Sequence, residues 1–165
     1  MTRFLVLAMI VVLFSSSSIK NCDCCTEQHN QFDFWIGDWE VFDSTGNKVG
    51  ENLVRELEDG CVIQENWKSK NMSGTSYNYY DKKDKTWNQL WIDNKGGNLI
   101  LKGGILDGSM VMKDLPNENN EGEKVYNQIS WSQLKGGNVR QVWELYYESG
   151  ELKTELFNGI YKPKI

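Results

Sequence analysis

From Phe34 onward, apolar and polar residues alternate at period two through ten short segments: 34–42, 51–57, 61–68, 75–81, 87–93, 98–103, 108–113, 124–132, 138–147 and 152–161. Side chains two apart on a strand share a face, so this period predicts half-buried strands. The segments are rich in aromatic and β-branched residues, which suit a pleated surface. Turn formers separate them, among them "STGN", "EDG", "KKDK", "NKGGN", "LDG" and "ESGE". No segment carries a helical stripe of useful length, although a short helical turn fits residues 26–32. Links this short join antiparallel neighbours, because parallel strands need long crossovers. A meander of this length has two exposed edges unless it closes. The pattern therefore predicts an all-β chain, an antiparallel up-and-down β-barrel of eight to ten strands, with a sandwich as the alternative.

Two local features refine that picture. "KGGN" occurs at 95–98 and again at 135–138, each four residues after a tryptophan, Trp91 and Trp131. The chain is too short for a propeller, so these read as two hairpin turns that reached the same solution through paired glycines. The polar run 116–123, "PNENNEGE", reads as a mobile loop.

The ends add a second layer. Arg3 precedes an unbroken apolar run from Phe4 to Phe14, and Ser15 to Ser18 follow. That is the layout of a secretory signal peptide over 1–18, too short in its apolar part to span a bilayer. Cys22 lies too far from small residues to suit a lipid anchor. Residues 19–33 form a leader with a cysteine cluster, and 34–165 form the barrel domain. The expected location is secreted or periplasmic, with no stable membrane insertion once the signal is cleaved. Losing Arg3 takes the net charge from −5 to −6, and no basic cluster offers a nucleic acid track.

The four cysteines are Cys22, Cys24, Cys25 and Cys61. In an oxidising compartment they suggest a staple from the leader, Cys24 or Cys25, to Cys61; Cys25–Cys61 is the pair named here. A zinc site lacks a second ligand pair, and the single histidine, His29, precedes the strands. Neither a metal nor another cofactor is expected.

Candidate chemistry lies in three strands. Glu65 and Trp67, Gln89 and Trp91, and Gln141 and Trp143 each stand two apart, so each pair shares a face. Tryptophan is the member of each pair least suited to water, so all six side chains should point inward. A dry core would have to satisfy the buried polar groups itself, whereas a cavity offers water or a ligand headgroup. These six are therefore the candidate ligand-binding residues, for a small, largely apolar molecule. An enzyme with Glu65 or Asp93 as its acid–base group, and a filled barrel serving as a structural or interaction protein, remain as alternatives. No nucleophile elbow, phosphate loop or paired-histidine motif is present.

The first strand carries Gly37-Asp38-Trp39, and "QFDFWIGDWEV", "GCVIQENW", "WNQLWIDN", "GSMVM", "VRQVWE" and "LFNGIYK" follow in order. Over roughly residues 30 to 162 this resembles a family of secreted bacterial lipocalin-like, or calycin-like, proteins grouped under a domain of unknown function. The resemblance implies a barrel that binds small apolar ligands and is closed at one end by Trp39. It also implies an arginine from a late strand against that tryptophan, for which Arg140 is the candidate. The segment count leans toward fatty-acid-binding or haem-binding barrels, and the strands hold no histidine to serve as an axial haem ligand.

Overall fold

A computed structural model describes residues 22–164. Its eleven strands are β1 (Gly37–Asp43), β2 (Lys48–Leu57), β3 (Val62–Ser69), β4 (Ser73–Asp81), β5 (Thr86–Asp93), β6 (Asn98–Leu106), β7 (Ser109–Lys113), β8 (Asn117–Glu118), β9 (Lys124–Gln133), β10 (Val139–Tyr147) and β11 (Leu152–Pro163). Ten of them form a closed antiparallel barrel in chain order. β7 pairs with β9, β9 with β10, β10 with β11, and β11 returns to β1. The two-residue β8 is an appendage on the start of β9. The barrel is the expected architecture, and closure removes the unpaired edges that a sandwich would keep.

The turns follow local chemistry. Asp107 and Gly108 both take positive φ between β6 and β7, the geometry that matches strand twist in a two-residue hairpin. The two "KGGN" turns, read from the sequence as one solution, differ. Gly136 and Gly137 both have positive φ, whereas at the first copy only Gly96 does. There Asp93 Oδ1 instead accepts the Lys95 and Gly97 N–H groups. The run 116–123 also departs from a loose loop. Asn119 Oδ1 accepts the N–H groups of Glu121 and Glu123, and Lys153 bridges both carboxylates.

The first apolar segment divides in two. His29–Trp35 is a 3-10 helix, three residues later than the turn expected at 26–32, and the strand starts only at Gly37. At three residues per turn, Phe32 and Trp35 fall on the same face. Both are fully buried and stacked with ring centroids 4.9 Å apart. Phe32 also meets Trp87 and Trp131 edge-on. The helix plugs the end of the barrel that carries the β2–β3 and β4–β5 turns. His29 belongs to this plug: Thr26 Oγ1 lies 2.7 Å from its Nδ1, and its ring meets Tyr80 edge-on. Burial, with Lys82 nearby, lowers its pKa.

Two disulfides hold the leader over the plugged end, Cys22–Cys25 and Cys24–Cys61. The staple to Cys61 is present, but its partner is Cys24 rather than Cys25. Cys24 is the buried member of the cluster, while Cys25 is exposed and closes a four-residue loop with Cys22. Lys82 Nζ also donates to Asp23 O at 2.7 Å, tying the leader to the β4–β5 turn. The signal-peptide residues lie outside the described part of the chain.

Candidate functional site

Parity along β3, β5 and β10 sets the barrel interior. Near the plug it places Ile63, Trp87 and Val139, all buried. Two residues on come Glu65, Gln89 and Gln141, and two further come Trp67, Trp91 and Trp143. These last three are half-buried and ring the opposite end. All six expected residues line one cavity of about 200 Å³. Leu99, Ile129, Trp131, Phe157 and Tyr161 complete most of its wall, with Met72 and Leu156 at the rim. Leu156 is there because of a register shift: Trp143 pairs with Phe157 but Glu144 pairs with Glu155, so Leu156 has no partner opposite it.

Glycines set the positions of the rim rings. A Cβ on Gly50 would strike the Trp67 ring at 2.5 Å, and one on Gly159 would strike the Phe157 ring at 2.5 Å. A Cβ on Gly74 would collide with the Trp91 ring. Each ring lies over a bare backbone, so the glycines define how far it leans into the cavity. Gly37 does the same for Trp39, its ring 2.8 Å from where a Cβ would sit. This gives the Gly-x-Trp spacing a physical reason.

Trp39 is buried, and its Nε1–H donates to Trp35 O at 2.9 Å. It grips the plug helix, and Trp87 does likewise through Gln31 Oε1. Arg140 takes no part. It is exposed on the outer face, opposite in parity to Gln141, and its Nε–H donates to Asn158 Oδ1. Asp93 is not a cavity residue either, because its carboxylate caps the turn after β5. Among the described residues, Glu65 is the only carboxylate in the cavity wall.

Beneath the rim runs a connected polar belt. Asn78 Nδ2 donates to Ile63 O at 3.0 Å and to Ser76 Oγ at 2.9 Å. Ser76 Oγ–H donates to Glu65 Oε2, and Asn52 Nδ2 donates to Glu65 Oε1, both at 2.7 Å. Gln89 Nε2 donates to Asn78 Oδ1 at 2.7 Å. On the other side, Tyr161 OH donates to Gln141 Oε1 and lies 3.5 Å from Asn52 Nδ2. Asn52, Ser76, Asn78 and Tyr161 were not singled out from the sequence, although Asn78 alternates with Ser76 and stands opposite Gln89 in register.

The belt leaves some groups open. Gln89 Oε1 and Gln141 Nε2 take no hydrogen bond among the described residues, and both side chains line the cavity. The Trp131 indole N–H is buried without a partner. Burial pushes the Glu65 carboxyl up to about 7, against the opposing pull of its Ser76 and Asn52 hydrogen bonds. Burial and the nearby Glu65 raise Tyr161 well above the usual phenol range. At the rim, Trp143 Nε1–H donates to Asn127 Oδ1 at 2.8 Å, and Asp114 in turn clamps Asn127. No protein-family model matches the chain, and no curated protein matches it.

Proposed function

We propose that this chain is a secreted lipocalin-like protein that holds a small, largely apolar molecule in its barrel. The observation that carries this reading is the cavity itself: apolar rings at a rimmed opening, with unspent polar groups below. Small-molecule sites have that composition, mostly apolar and aromatic with a few placed polar groups. A cavity of about 200 Å³ somewhat exceeds the roughly 150 Å³ that accommodates benzene in an engineered core, which favours a ligand of one or two rings. Export is supported by the signal-like leader and by two disulfides, which persist in oxidising compartments. No helix among the described residues is long and apolar enough to cross a membrane.

Indole is a suitable probe for isothermal titration calorimetry on the mature protein. Saturable one-site heat is expected with the native chain and its loss with Leu99→Trp, which fills the cavity from β6. Absence of saturable heat, or equal heat in the variant, would overturn the reading. The enzyme alternative retains one favourable observation, a buried carboxyl poised near neutral pH. Among the described residues, Glu65 has no second carboxylate beside it in the cavity wall, the partner that acid–base pairs use.

A further inference from the structure

The belt below the rim is built around the Glu65 carboxyl, which has no cationic partner in the cavity wall among the described residues. Asn78 is oriented by the Ile63 carbonyl, Ser76 by Asn78, and Glu65 by Ser76. The Ser76 hydroxyl is turned toward Glu65 because it already accepts from Asn78. From the other side Asn52 also donates to Glu65. Both carboxylate oxygens therefore act as acceptors, the arrangement that suits the ionised form. The same chain of bonds turns Gln89 so that Nε2 is spent on Asn78 and Oε1 is left as a further acceptor. Yet no lysine, arginine or histidine lines the cavity among the described residues. Buried charges are normally paired. The wall around Glu65 is aromatic: Trp67, Trp91, Trp131, Trp143 and Phe157 line the same cavity. Aromatic faces attract cations, most strongly where water is excluded.

We propose that the ligand is a small organic ammonium ion, its N–H groups on Glu65 with Gln89 Oε1 as second acceptor, and its apolar part between the rim tryptophans. This rests on the binding reading above and specifies its ligand class. Glu65 is packed against Asn52 on β2, Ser76 and Asn78 on β4, and Tyr161 on β11. Among the described residues, the Tyr161 phenol is the only other titratable group facing it, and it stays neutral across the range below. The ammonium therefore competes with a single proton at Glu65.

The test compares 2-phenylethylamine, neutral 2-phenylethanol and anionic 3-phenylpropanoate by calorimetry on the mature protein. At pH 8.5 the amine should bind at least ten times more tightly than the alcohol, and the carboxylate most weakly. Amine affinity should rise about thirtyfold from pH 5.5 to 8.5 as Glu65 ionises, because only the ionised fraction is competent. Alcohol affinity should not change. Glu65→Gln should abolish both the preference and the pH dependence. The ligand-charge and pH comparisons need no variant, so they stand even if that one folds poorly. Equal affinity for amine and alcohol would overturn the ammonium proposal while leaving an apolar-binding barrel. Failure of all three probes to bind would overturn both.

Discussion

Glu65 makes the interior testable through stability alone. Its carboxyl rises from 4.5 to about 7 on folding, chiefly through burial. An acid whose folded pKa is raised holds its proton more tightly in the native state. Its contribution is thus most favourable below pH 4.5 and is lost as pH climbs to 7. By linkage the loss is about 3 kcal/mol, at roughly 1.4 kcal/mol per tenfold change. Glu65→Gln removes the titration and keeps the shape. Asn52 Oδ1 is buried without a partner, so a reversed Asn52 amide can accept from the new side-chain N–H. Urea unfolding followed by tryptophan emission, from pH 4 to 8.5, yields stability curves for both proteins. Glu51 and Glu123, held near 2 by lysine partners, titrate in both and cancel in the difference. The stability of the variant minus that of the native protein should grow by about 3 kcal/mol between pH 4.5 and 7 and then level off. A difference that stays flat within about 1 kcal/mol would refute a buried, ionisable Glu65.

Replacing Cys24 and Cys61 together by serine opens a loop with a sequence separation of 37. In the chain-entropy account this should cost about 4 kcal/mol, against about 2 for the short Cys22–Cys25 loop; denaturant midpoints measure the difference, and non-reducing peptide mapping checks the pairing. Gln141→Leu strands the buried Tyr161 hydroxyl and should cost about 1–3 kcal/mol. Adding Tyr161→Phe should recover part of that loss in a double-mutant cycle read by thermal or urea unfolding. Gly74→Ala drives a methyl into the Trp91 ring and the Ile92 carbonyl. It should lower the melting temperature, shift tryptophan emission and reduce indole affinity by more than tenfold.

The barrel was legible because period two and turn chemistry agree along most of the chain. Alternation alone placed Glu65, Gln89 and Gln141 beside their tryptophans, since none of these three strands changes parity between the members of a pair. Other features depend on contacts between distant segments. The apolar stretch around Phe34 and Trp35 fits a strand until Trp39, Trp87 and Trp131 are seen to surround a plug. Cys24 and Cys25 are neighbours, and only burial separates the one that reaches Cys61. Asn52 and Asn78 look like surface residues on polar strands until the register sets them against Glu65, Ser76 and Gln89. The glycines under the rim rings carry no periodic signal, because their role is a close approach across strands. The partner implied for Arg140 was drawn from resemblance, and the β10 parity turns that side chain outward to Asn158.

The central claim is that the barrel holds a small molecule, and native mass spectrometry on protein purified from its own host tests it most directly. The account predicts a chain cleaved near Ser16 to Ser18, carrying two disulfides and a non-covalent mass excess that disappears on denaturation. It also predicts that Leu99→Trp, purified in the same way, carries no excess. The bare chain mass in the native protein, or the same excess in the filled variant, would contradict it.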